Sequence, residues 1–182
     1  RMKDDNAQSA LRQSRSRIVA LALIHRLIYE QDADSERGEV AIENLMGELC
    51  KQLRSTNRDR RNIELECQTD SYSVPLDLAV PLALFTVEAV TNSYRHAFPS
   101  GAKGKIELSF RQVGKEAILT VADNGAGYKE RSNTGAEMGS ELMHAFATQL
   151  DGSVAFASKP GNGSSTRLTF PATAQITGRL QS

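Results

Sequence analysis

The chain has 182 residues, and its Lys+Arg 22 are balanced by Asp+Glu 22. Zero formal net charge argues against a broadly basic nucleic-acid binder and against an acidic tail. Cys50 and Cys67 are too few and too plainly placed for a disulfide framework or a zinc site, and they point to a reducing, cytoplasmic setting. No apolar run approaches the roughly 20 residues of a membrane span, and no signal peptide opens the chain, so no direct membrane contact is expected. Beginning at Arg1, the sequence reads as a piece of something longer.

Helical periodicity opens the chain. From Ala7 to Gln31 there is no Gly or Pro, and Leu11, Ile18, Leu21, Ala22, His25, Ile28 and Tyr29 recur at helical spacing. Asp32 to Ser35 breaks the pattern. A second helix is expected from about Val40 to Ser55, with Ile42, Leu45, Met46, Leu49 and Leu53 on one face. Two amphipathic helices with a short polar connection suggest an antiparallel hairpin. Its apolar seam must be covered by the rest of the chain or by a second copy.

After Asn57–Asn62 the period changes. Ile63, Leu65 and Cys67 alternate with polar residues, as in a half-buried strand. A long helix follows from Leu78 to Ala97, ended by Phe98-Pro99-Ser100-Gly101. Lys105–Arg111 and Ala117–Ala122 read as strands about the Gly114 turn, and Asn124 to Gly135 as a polar, Gly-rich segment. Met138–Leu150 reads as a helix, and Ser153–Ala157 and Ser165–Phe170 as two more strands. Strands and helices mix without strict alternation. The fold class is therefore α+β, an N-terminal helical hairpin followed by a two-layer α/β sandwich. The expected divisions are 1–57, a helical region; 58–173, the sandwich; and 174–182, a disordered tail.

Four segments carry candidate chemistry. On the helix 78–97, Glu88, Asn92, Arg95 and His96 fall on one face, with Val80, Leu84, Val87 and Tyr94 turned towards a sheet. A carboxylate and a carboxamide one turn apart suit a hard cation such as Mg²⁺, and the two cationic groups beyond them suit phosphate. A solvated polar face is the plain alternative. Asp123-Asn124-Gly125-Ala126-Gly127 directly follows a strand. Its carboxylate can accept from an exocyclic amine while its glycines admit close backbone approach, although Asp-Asn-Gly is also a common turn. Glu137-Met138-Gly139-Ser140 opens a helix whose free N–H groups suit an anion. Gly161-Asn162-Gly163-Ser164 precedes the last strand, where a hairpin turn is the ordinary explanation.

Taken in order, these segments resemble the N box and the three glycine boxes of the Bergerat ATP-binding fold, shared by gyrase, the heat-shock chaperone ATPases, MutL and the sensor histidine kinases. The string Pro81-Leu82-Ala83-Leu84, Glu88, Thr91-Asn92 and Arg95-His96-Ala97-Phe98-Pro99 is similar to that of histidine kinases related to the HWE class. Arg95 stands where Lys is usual, and the chain has no Trp. The resemblance implies a catalytic region that binds ATP and Mg²⁺ and passes the γ-phosphoryl to a histidine, then to an aspartate of a response-regulator receiver domain. It implies Asn92 on Mg²⁺ and Glu88 near the metal and its water. It also implies Arg95 and His96 by the phosphates, Asp123 on the adenine amine and Gly125 and Gly127 shaping the pocket. Gly139 would begin the helix under the phosphates, and Leu142 would wall the adenine. Ser164 occupies the last nucleotide-contact position, with Thr166 as the competing choice. The lid, Tyr128 to Met138, is short.

The resemblance extends to Arg17–His25 and Leu27–Tyr29, which are similar to the second helix of a dimerisation and phosphoacceptor region, and it implies a homodimer through the N-terminal helices. The accepting histidine of that subclass lies on the preceding helix in a His-Arg-x-Lys-Asn setting that is not found here. His25 has no acidic neighbour and sits on an apolar stripe, where a packed structural histidine is the commoner outcome. His144 reads as a surface or packing residue. Two rival readings stay open: a non-enzymatic histidine phosphotransfer or docking module, and a serine-kinase anti-sigma factor of the same superfamily.

Overall fold

The computed structural model describes residues 38–128 and 136–172, together with 14, 18, 21–22 and 25–26. Most of the expected first helix, the lid from 129 to 135 and the tail from 173 lie outside the described residues. Ten α-helices and β-strands are described after Gly38. They are β1 (Glu39–Ala41), α1 (Ile42–Thr56), β2 (Ile63–Thr69), β3 (Ser73–Pro75), α2 (Leu76–Asn92), β4 (Gly104–Val113), β5 (Glu116–Asp123), α3 (Ala136–Gln149), β6 (Ser153–Ser158) and β7 (Ser164–Pro171).

Five strands form one sheet in the order β2-β4-β5-β7-β6. The β2–β4 pair is parallel and the other three pairs are antiparallel. Alternation sets the inner face. Ile106, Leu108 and Phe110 of β4, Ala117, Leu119 and Val121 of β5, and Leu168 and Phe170 of β7 are all buried, while the residues between them are half-buried or exposed. α1, α2 and α3 contribute to the same core, and α2 packs on both other helices. The two-layer α+β expectation holds.

α1 is amphipathic as the spacing predicts, with Ile42, Leu45, Met46, Leu49, Cys50 and Leu53 buried. That face packs against β2 and α2, so the rest of the chain covers it. Backbone bonding at its start is completed by the Tyr72 carbonyl, which accepts from Ile42 N at 2.8 Å. β1 pairs with β3, setting Val40 opposite Val74, and ties the entry to α1 to the entry to α2. These two short strands are absent from the sequence reading.

α2 is the most deeply buried helix. Ala79, Leu82, Ala83, Phe85, Ala89 and Val90 are buried, while Val80 and Leu84, expected to face the sheet, are only half-buried. Neighbours on several sides replace the single apolar stripe that amphipathic spacing assumes. With the turn that follows it, Leu76–Ala97 is long and apolar enough to cross a membrane, and 61% of its most apolar window is buried within the protein.

Of the N-terminal helical residues that are described, Ile18, Leu21, Ala22 and His25 are exposed, Ile18 at 65%. His25 is thus exposed within the described residues of one chain, and most of its stripe lies outside them.

Candidate active site

The site gathers where α2 ends beneath the ends of β5 and β7. After Asn92 the helix widens into a π turn over Ser93–Ala97, a distortion common at functional sites because it re-aims side chains and frees carbonyls. The four polar residues expected on one face consequently differ in depth. Glu88 is 1% exposed and Asn92 half-buried, while Arg95 and His96 are exposed. The freed Ala97 carbonyl accepts from Ala126 N at 2.8 Å, which docks the loop after β5 against the helix end.

Asp123 is the last inward-facing residue of β5, so the alternation that buries Leu119 and Val121 also carries its carboxylate inside, at 7% exposure. Four donors meet it. Gly125 N, at 3.0 Å, and Ser164 N, at 3.2 Å, donate to Oδ1; the hydroxyls of Ser93, at 3.1 Å, and Ser164, at 2.6 Å, donate to Oδ2. Charge-assisted bonds of this kind offset the cost of burying a carboxylate. Oδ1 is held by rigid backbone amides. Oδ2 is held by hydroxyls that can rotate away.

Close backbone approach explains two glycines. A Cβ at Gly125 would lie 2.2 Å from the Ala97 carbonyl oxygen. Gly127 has φ +63°, and a Cβ there would lie 2.2 Å from the Lys159 carbonyl oxygen. Asn124 fixes the outer side of the loop by accepting from Lys105 N at 2.8 Å.

The structure thus brings together Asp123, Gly125, Gly127 and Ser164, with Asn92 next in the chain to Ser93. Thr166 lies on the same face of β7 but stands opposite Val121, whereas Ser164 stands opposite Asp123. Gly139 lies in the first turns of α3, and Leu142 is half-buried against the core. Neither has a described contact to Asp123. His144 is exposed and meets Phe156 edge-on at 5.8 Å. Sequence reasoning missed Ser93, whose partner lies 30 residues away and whose only local signal is its place beside Asn92.

Arg95 and His96 are the basic residues of the π turn. Loss of solvent around the imidazole, and secondly the Arg95 charge, hold the His96 pKa below the ordinary histidine value. Thr91, beside Asn92, has a buried hydroxyl without a hydrogen-bond partner among the described residues. A cleft of about 610 Å³ at the junction of α1 and β2, lined in part by Arg54, Arg58, Arg61 and Tyr94, contains none of the candidate residues.

The donor set fits Mg·nucleotide better than a protein-only metal centre. No group of three or more His, Cys, Asp or Glu side chains could hold a metal among the described residues. Mg²⁺ ordinarily takes one or two protein oxygens and completes its octahedron with phosphate and water. Asn92 and Glu88 offer oxygens of that kind one helical turn apart.

Comparison with known proteins defines the class. Residues 78–174 match the family described as histidine kinase-, DNA gyrase B- and HSP90-like ATPase, and residues 1–57 match a histidine kinase family. The ATPase match covers more than half of the chain, which therefore belongs to that family. The chain thus carries a domain of that ATPase family, with the Bergerat fold, behind an N-terminal segment that matches a histidine kinase family.

Blue-light-activated histidine kinase 2 of Erythrobacter litoralis (strain HTCC2594) is 27% identical over 125 residues, 65% of this chain and 35% of that protein. The serine/threonine-protein kinase BtrW of Bordetella bronchiseptica is 43% identical over 51 residues, 28% of this chain and 36% of that protein. The chain spans about a third of the length of these curated relatives. Among solved structures, the histidine kinase domain of a blue-light activated kinase from Erythrobacter litoralis superposes with a TM-score of 0.77. It is 21% identical and covers 88% of this chain and 75% of that one.

Proposed function

We propose that this region binds Mg·ATP between the end of α2 and the loop after β5 and transfers the γ-phosphoryl to a histidine. A receiver-domain aspartate then takes the phosphoryl from that histidine. The observation that carries this reading is the Asp123 cluster, where a buried carboxylate presents one oxygen held by backbone and one held by movable hydroxyls. When Ser93 or Ser164 turns aside, Oδ2 accepts the adenine amine without leaving the carboxylate unsatisfied. Asn92 is the protein ligand of Mg²⁺, and Glu88 stands near the metal and its water. Arg95 and His96 neutralise phosphate charge. Gly125 and Gly127 keep the loop close, Gly139 lies in the first turns of the helix under the phosphates, which starts at Ala136, and Leu142 walls the adenine. Ser164 is the last nucleotide contact. The protein's work in such a transfer is positioning and charge neutralisation.

Within the histidine kinases, the Arg95–Pro99 string supports a place beside the HWE class. Exposed Ile18 and Leu21 support a homodimer through the N-terminal helices. The histidine kinase match over residues 1–57 supports the expected division at residue 57, with α1 also sharing the core of the sandwich. A cytoplasmic setting goes with this role.

The likeness to BtrW favours one second reading, phosphorylation of a serine in a partner. Incubation with labelled Mg·ATP and a histidine-bearing segment of the parent protein separates the two. Acid-labile, base-stable phosphate is expected. Acid-stable phosphate on a serine overturns the histidine assignment.

A further inference from the structure

Cys50 and Cys67 lie 17 positions apart and look unrelated in sequence, yet the packing of α1 on β2 brings them face to face. Both are free thiols, Cys50 buried and Cys67 half-buried. Arg54 fixes the register, since its Nε donates to the Leu65 carbonyl at 3.1 Å and its second guanidinium nitrogen donates to the same oxygen. One helical turn back from Arg54 is Cys50, about 6 Å along α1. Two residues on from Leu65 is Cys67, about 6.6 Å along β2 in the matching direction. Equal steps from a common anchor bring the two side chains to the same level of the α1–β2 packing, and each thiol is the largest influence on the other's ionisation.

We propose that Cys50 and Cys67 form a reversible thiol–disulfide pair that clamps α1 to β2 when the protein meets a hydroperoxide. Cys67 is half-buried where Cys50 is buried, so Cys67 is the sulfur an oxidant reaches. The neighbouring Cys50 thiol, aided by the Arg54 charge, holds the Cys67 thiol below its ordinary range, while the Cys67 sulfur and burial push Cys50 up. One sulfur is thereby readied to attack and its neighbour kept protonated.

The Cys67 thiolate attacks the peroxide, forming S–O and breaking O–O, and the leaving oxygen takes a proton to become water or an alcohol. The Cys50 sulfur then attacks the Cys67 sulfur. S–S forms, S–O breaks, and hydroxide leaves with the Cys50 proton as water. Two thiols are oxidised by two electrons and one hydroperoxide is reduced. In a reducing compartment such a bond is transient and regulatory.

The test treats the whole chain with hydrogen peroxide and follows free thiols, intact mass and a non-reducing peptide map. The proposal predicts that free thiols fall from two to none, that the mass falls by two hydrogens, that one peptide joins residues 50 and 67, and that dithiothreitol reverses all three. Cys50→Ser is expected to leave a Cys67 sulfenic acid that dimedone captures, and Arg54→Gln to slow the first step several-fold. Two surviving thiols, a link between separate chains, or oxidation of Cys67 to the sulfinic acid with Cys50 still free would each overturn the pairing.

Discussion

Ser164 stands directly across the β5–β7 ladder from Asp123 and gives the carboxylate both its backbone N–H, at 3.2 Å, and its hydroxyl, at 2.6 Å. Strand register thus lets one residue reach both carboxylate oxygens, its N–H on Oδ1 and its hydroxyl on Oδ2. Replacing Ser164 by Ala removes a bond to a buried charge, at a cost of about 1.5–3 kcal/mol in urea unfolding. Ser164→Thr keeps a hydroxyl at a half-buried position and is expected to retain stability and nucleotide affinity. Thr166→Ala, which faces Val121 across the ladder, is expected to cost far less. Equal losses at Ser164 and Thr166 contradict the assignment.

Gly125 and Gly114 separate two reasons for having glycine. At Gly125 an added Cβ meets the Ala97 carbonyl at 2.2 Å, whereas Gly114 has φ +61° and open space around it. Gly125→Ala is expected to push the loop off the helix end, costing about 1–3 kcal/mol and most of the nucleotide affinity. Gly114→Ala costs roughly 1–2 kcal/mol through its left-handed backbone alone and leaves affinity intact. Paired denaturation and nucleotide titration check both halves.

His96 sets a pH dependence of known sign. Its folded pKa lies below the ordinary value, so on acidification the unfolded chain takes up the proton first. The stability this group contributes is complete above the unfolded pKa and is lost as pH falls through the folded one. Arg95→Gln should raise the His96 pKa only part of the way, since loss of solvent is the larger cause. Saturating Mg·ADP should raise it too, because nearby phosphate favours the imidazolium. Proton NMR of the imidazole reads both shifts, and a titration curve unmoved by either contradicts the placement.

Ile18 and Leu21 are exposed on the N-terminal helix. The double variant Ile18→Glu, Leu21→Glu is expected to turn a dimer into a monomer in sedimentation experiments. Nucleotide affinity should not change, since these residues share no described contact with Asp123.

Elements written in local period were legible. Ile63, Leu65 and Cys67 announce β2, and the a/d-like spacing of Ile42, Leu45, Met46 and Leu49 announces α1. Asp123 was legible as a candidate because its carboxylate, followed by Asn124-Gly125-Ala126-Gly127, comes directly after a strand. Features made by distant partners were not legible. β1 and β3 are three residues each and exist only through their mutual pairing. The π turn at Ser93–Ala97 depends on the carbonyl that receives Ala126 N, and Ser93 acquires its role only when β5 arrives above it. The cysteines looked unrelated because their meeting depends on the packing of a helix on a strand. Spacing grouped Glu88, Asn92, Arg95 and His96 on one face, but the end of α2 at Asn92 and the π turn after it set them at different depths.

The most direct measurement is calorimetric titration of Mg·ADP into the chain, beside Asn92→Asp and Asp123→Asn. The account predicts saturable binding to the natural sequence, with ligand at 100 times its dissociation constant stabilising the fold by about 2.7 kcal/mol. It predicts loss of binding in both variants, in one because a new charge stands beside the phosphates and in the other because the adenine acceptor is altered. Undiminished affinity in either variant, or no binding by the natural sequence, would contradict a nucleotide site built on Asn92 and Asp123.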